Sequence, residues 1–93
     1  MSNEKVIKEF LNGNQARTQK REILNGYYTY EGRTLYTNGN ILVNYKTNIA
    51  RLEGEKLYLN IKKYSVTTSK IQSMIRRLAS QKGLEIIEVE EEV

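Results

Sequence analysis

The chain has 93 residues, with fifteen Lys and Arg against eleven acidic residues and a net charge of +4, which allows one domain with a modest core and little room for a deep enclosed cleft. His, Cys and Asp are all absent. Their absence excludes disulfides, thiol nucleophiles, His- or Cys-based zinc centres and the Asp-rich clusters that hold catalytic magnesium, and it removes the usual general base at neutral pH.

The elements follow in chain order. Ser2 or Asn3 caps a first helix whose Val6, Ile7, Phe10 and Leu11 form one apolar stripe, ended by Asn12-Gly13. Residues 14–25 are polar and basic, without clear periodicity before Ile23-Leu24, and read as a loop with some helical content. Tyr and β-branched residues then alternate with Asn25-Gly26, Glu31-Gly32, Asn38-Gly39-Asn40 and Glu53-Gly54, the turn chemistry of short antiparallel strands. The predicted strands are Tyr27–Tyr30, Arg33–Thr37, Ile41–Tyr45, Asn48–Leu52 and Lys56–Ile61. The segments Gly39–Lys46 and Gly54–Lys62 echo each other as turn, hydrophobic strand, Asn, hydrophobic residue and Lys, a pattern too common to define a repeat.

Ser69 and Gln72 fit a capping box, with Thr67 or Thr68 as alternative caps, and predict a helix to about Gln81. Its buried stripe is Ile71, Met74, Ile75 and Leu78; Lys82-Gly83 stops it. Leu84, Ile86, Ile87 and Val89 predict a last strand of unread direction. The fold class is therefore α+β: a single domain over 1–93, with a small antiparallel sheet of three to five strands covered on one face by an N-terminal and a C-terminal helix.

Charge is uneven along this chain. Residues 1–83 carry fifteen bases against six Glu, a balance of +9, while residues 84–93 carry five Glu and no base, a balance of −5. A basic body suits phosphate-rich partners through counterion release, or an acidic protein surface through steering. The acidic tail, near 88–93, reads as a solvated end or a shield for the basic surface. The densest basic stretch is Lys62–Arg77, where Lys62, Lys63, Lys70, Arg76 and Arg77 accompany Tyr64; Arg17, Lys20 and Arg21 add a second group in the polar loop. These nine residues are the predicted binding surface. Tyr rings interleaved with Lys and Arg suit unpaired bases and their backbone, and equally a protein interface. The competing reading is that the Tyr rings cover a sheet face and the bases are ordinary solvated side chains. No Gly-rich phosphate loop is present. A mechanism on Lys62, Lys63 and Tyr64, as in small ribonucleases, is the remaining catalytic option; non-catalytic binding is the reading adopted, with no cofactor and no metal.

Three segments carry a resemblance: Phe10–Thr18 (FLNGNQART), Leu35-Tyr36 with Ile49-Ala50, and above all Leu57–Gln72 (LYLNIKKYSVTTSKIQ) followed by Arg76-Arg77. They resemble an uncharacterised small domain that recurs in proteins of bacteriophages and mobile elements. Its specific part is the run from Tyr64 to Gln72, and where that domain often has His this chain has Ile71. The resemblance implies a phage or mobile-element setting and, with it, the host cytoplasm. Two expectations follow: a module that binds nucleic acid, or an anti-CRISPR or other anti-defence inhibitor that binds a Cas effector and blocks its work. Neither a membrane nor a small-molecule substrate is expected: no run approaches the roughly 20 apolar residues of a span, and the charged start of the chain does not read as a signal peptide.

Overall fold

The computed structural model describes residues 2–18, 20–24, 27–31 and 35–93. Helix α1 (Asn3–Leu11) starts at Ser2, whose hydroxyl accepts the Lys5 N–H at 3.2 Å and satisfies one of the donors a helix start leaves unpaired. Strands β1 (Lys20–Leu24) and β2 (Tyr27–Glu31) form an antiparallel pair of their own, with Leu24 opposite Tyr27. The predicted loop over 14–25 is thus corrected: its second half is a strand, held by a pairing partner that local periodicity does not reveal. The turn predicted at Asn25-Gly26, Gly32 of the turn predicted at Glu31-Gly32, and Arg33 at the start of the next strand lie outside the described residues.

The main sheet has five strands in the order β3 (Leu35–Asn38), β4 (Ile41–Asn44), β5 (Thr47–Glu53), β6 (Lys56–Asn60) and β7 (Glu85–Val89). The first four pair antiparallel, and β7 runs parallel to β6. The sheet is therefore mixed rather than antiparallel. Helix α2 (Val66–Lys82) is the cause: its 17 residues span about 25 Å at 1.5 Å per residue, enough to carry the chain back to the end of the sheet where β6 began. Gly83 closes the helix at φ +83, a left-handed conformation that only glycine adopts freely, and Leu84 N–H donates to Ala79 C=O at 3.1 Å.

Both helices lie on one face of the sheet. Helix α1 packs on α2 and β3, and α2 packs on β6 and β7. Between them Val6, Ile7, Phe10 and Leu11 of α1 meet Ile71, Ile75, Leu78 and Ala79 of α2 and Leu35, Leu42, Ile49, Ala50, Leu57 and Leu59 of the sheet. A fully buried Leu or Ile contributes about 1.5–3 kcal/mol. A bulge in β5 sharpens this layer: the register shifts between Leu42, opposite Ala50, and Val43, opposite Asn48, so that Ile49 is the extra residue and both it and Ala50 are fully buried.

Two further departures from the predicted elements are local. The β4–β5 turn is made by Tyr45 and Lys46 at φ 49 and 66, so the strand predicted to Tyr45 stops at Asn44. Such a two-residue turn matches the strand twist and normally takes Asn or Gly; the Cβ atoms here are tolerated at a cost of order 1–2 kcal/mol per residue. At the C-terminus Glu88 and Val89 belong to β7, and beyond them Glu92 Oε1 and the Val93 C=O accept hydrogen bonds from Asn48 N–H and Nδ2 at 2.8 and 3.2 Å. The acidic tail predicted near 88–93 is therefore tied to the sheet at both ends.

Candidate functional site

The stretch from Asn60 to Gln72 connects β6 to α2, and its residues divide by what they do for the fold. Asn60 is fully buried. Its Nδ2 donates to Asn48 C=O at 3.2 Å and to the Tyr64 hydroxyl at 2.9 Å, and its Oδ1 accepts the Lys62 N–H at 3.0 Å. Gln72, also buried, donates Nε2 to the C=O groups of Asn60 and Lys62 at 2.7 and 2.9 Å. Buried amides are costly unless paired, and here they satisfy the backbone of an irregular connection that no ladder serves.

The helix start is a second such cluster. Ser65 is the N-cap, its hydroxyl accepting the Thr68 N–H at 3.1 Å, and the buried Thr68 hydroxyl accepts from Ser65 Oγ at 3.1 Å and from Asn44 Nδ2 at 3.0 Å. This corrects the predicted capping box. Ser69 lies one turn inside the helix, and Gln72 braces the preceding loop instead of the cap. The reason is that Ser65 is an equally good cap, and starting there lets Thr68 receive the Asn44 amide in the buried layer. Asn44 and Asn60, the matching residues of the two echoed strands, both brace the entry to α2.

What this scaffold leaves over is Lys63, Val66, Thr67, Ser69 and Lys70, all exposed. Four of the five line one open groove of about 690 Å³, together with Tyr64, Ser65, Ser73, Met74 and Arg77. Val66, Ser69, Lys70, Ser73 and Arg77 recur three and four residues apart and so share the outer face of α2. Val66 is 75% exposed, and Tyr64 is 42% exposed although Asn60 holds its hydroxyl. The Lys62 ammonium stands 5.8 Å from the Tyr64 ring centroid, within reach of a cation–π contact. Met74, predicted in the buried stripe, is half-buried at its margin and lines the groove.

The predicted basic residues are not equivalent. Among the described residues, Lys62, Lys63 and Lys70 have no carboxylate partner. Arg76 donates Nε to Glu88 Oε1 of β7 at 2.8 Å, and Arg77 Nη2 lies 3.6 Å from Glu4 Oε1 of α1. Both pairs are half-exposed, so each is a weak interaction. Arg17 sits apart from the groove: it bridges to Tyr36 at the β3 edge, where Thr18 N–H to Leu35 C=O and Thr37 N–H to Ala16 C=O extend the sheet. Lys20 and Arg21 stand on β1, opposite Glu31 and Tyr30. The structure thus brings together Lys62, Lys63, Tyr64, Lys70 and Arg77, turns Arg76 toward β7, and places Arg17 at the β3 edge.

The sequence reading missed Val66, Ser69, Ser73 and Met74 as groove residues. Val66 carried a signal, because an apolar residue five positions before Ile71 is out of step with the stripe and has to face outward. On the uncovered face of the sheet the Arg51 guanidinium lies 4.8 Å over the Tyr58 ring, with Nε 3.3 Å from Glu53 Oε1 in ion-pair contact but without hydrogen-bond alignment. Its Nε is therefore buried with an ion-pair neighbour but without a hydrogen-bond partner. Among the described residues no group of three or more Glu is placed to hold a metal, and no helix is long and apolar enough to cross a membrane. The molecule is an α+β domain presenting a cationic, partly apolar groove on its second helix. No family model, no curated protein and no solved structure matches the chain.

Proposed function

We propose that the protein is a non-catalytic binding module whose α2 groove holds nucleic acid or a nucleic-acid-containing complex, in the phage or mobile-element setting and host cytoplasm that the Tyr64–Gln72 resemblance implies. One observation carries this reading: three lysines without a carboxylate partner among the described residues lie at an exposed Tyr64, Lys62 beside its ring and Lys63 and Lys70 along its groove. Unneutralised cations on a rigid frame attract polyphosphate backbones through counterion release. The lack of His, Cys and Asp supports binding without turnover. Fluorescence anisotropy with labelled oligonucleotides at about 50 mM salt tests it, because several phosphate contacts are strong there and fade by about 200 mM. Absence of binding to any strand at low salt overturns the reading.

A second reading, an anti-CRISPR inhibitor that binds a Cas effector protein, draws on a different observation. Val66 and Met74 give the groove an apolar floor, and an apolar residue 75% exposed is the kind of anchor that protein interfaces cover. Purified Cas effector, with and without its guide, mixed with this protein and resolved by size exclusion, tests it. Co-elution that Val66→Asp abolishes supports the inhibitor; separate elution with every effector tried, guide-loaded or free, counts against it.

A further inference from the structure

The position of Tyr64 narrows the ligand, on the premise that the groove binds nucleic acid. Its hydroxyl is fixed by Asn60 Nδ2 at 2.9 Å, and Asn60 is itself fully buried and bonded to Asn48 and Lys62. The ring is therefore held by its polar end while the residue stays 42% exposed along the groove. A Tyr that served only to cover the core would have the reverse arrangement, ring inward and hydroxyl in solvent. Lys62 stands 5.8 Å from the ring centroid, and Lys63 and Lys70 border the same groove.

We infer that the α2 groove is a site for single-stranded nucleic acid, in which one unpaired base stacks on Tyr64 while Lys62, Lys63 and Lys70 hold the flanking phosphates. A duplex buries the faces of its bases against their neighbours, so a fixed ring at a groove wall gains nothing from it; a single strand offers the face of any base. The cationic footprint is short, because Arg76 and Arg77 already meet Glu88 and Glu4. Three phosphate contacts on a single strand predict a slope of log K against log salt of about −2, following roughly −0.7 per contact. The ring carries no base-edge reader, so the site tolerates many sequences.

Anisotropy titrations with a labelled ten-nucleotide single-stranded DNA, the matching RNA and the matching DNA duplex test the inference. The expected result is tighter binding of one or both single strands than of the duplex, with a salt slope near −2. Tyr64→Phe keeps the ring and should stay within about threefold of the parent, whereas Tyr64→Leu should lose about tenfold to a hundredfold, the range for removing one base stack. Since both substitutions remove the hydroxyl partner of Asn60, the folding of each variant is checked by thermal melting. Proton NMR of the unmodified protein supplies a test free of substitution, because stacking moves the Tyr64 ring signals upfield on addition of the single strand. Duplex binding as tight as single-strand binding, or unmoved Tyr64 ring signals at saturation, overturns the stacking role while leaving the basic groove standing. Binding to none of the three overturns the groove reading itself.

Discussion

The two halves of the basic surface on α2 carry the same kind of charge and sit in opposite circumstances. At the entry, Lys62, Lys63 and Lys70 have no carboxylate within reach among the described residues. Further along, Arg76 meets Glu88, Arg77 meets Glu4, and Lys82 Nζ donates to Asn12 Oδ1 at 2.6 Å. The difference lies in the neighbours rather than in the helix: α1 and β7 flank its later turns and supply the acceptors, while its first turn emerges from a loop braced by amides. Basic residues along a helix are thus not one surface. Under the proposed function, the part without carboxylate partners among the described residues is the part that takes an external anion.

The largest effect is expected at the scaffold of the entry to α2. Asn60→Leu removes the hydrogen bonds to Asn48, Lys62 and Tyr64 and strands their backbone and hydroxyl groups, so chemical denaturation should show a loss of about 3 kcal/mol. A loss below about 1 kcal/mol would show that the amide network is not what holds the entry in place. Next in size is the charge contrast itself. Lys63→Gln with Lys70→Gln should weaken single-strand binding about tenfold at low salt and flatten the salt slope by about 1.4, two contacts at roughly 0.7 each. Arg76→Gln with Arg77→Gln should change binding by less than about threefold; equal effects from the two double variants would erase the distinction.

The cap separates the two serines in the same way. Ser65→Ala should cost about 1 kcal/mol of stability, and Ser69→Ala, whose hydroxyl makes no cap bond, less than about 0.5 kcal/mol, both read by thermal unfolding. The smallest effect sharpens the comparison from the acidic side. Glu4→Gln with Glu88→Gln frees both arginines, and because the pairs are half-exposed the stability should move by less than about 1 kcal/mol in urea. Nucleic-acid affinity should rise about twofold to threefold as the cationic footprint lengthens. No change in affinity would mean that the arginines point away from the path of the strand.

Much of this was legible one segment at a time. The stripe Val6, Ile7, Phe10 and Leu11 is buried as read, Ser2 caps α1, Gly83 ends α2, and the turns at Gly39 and Gly54 separate strands within two residues of their predicted bounds. Each of these rests on residues a few positions apart. Two of the readings that failed depended on a distant partner. Strand β1 exists because β2 pairs with it, and Gln72 reaches back to Asn60 and Lys62 instead of capping its own helix. Of the candidate site, the sequence located the basic stretch and Tyr64, but it did not distinguish Lys70 from Arg76.

The sequence by itself determined most of the element types, the basic body, the chemistry that the missing His, Cys and Asp exclude, and the address of the basic stretch. Those are properties of composition and of spacing along a single helix or strand. Tertiary structure alone decided that β7 runs parallel to β6, that Glu4 and Glu88 neutralise two of the five clustered bases, and that the Tyr64 ring is held by its hydroxyl along a groove. The physical reason is range. A cap or a stripe is set within one or two turns, whereas an ion pair or a bound hydroxyl exists only after packing has brought separate elements together.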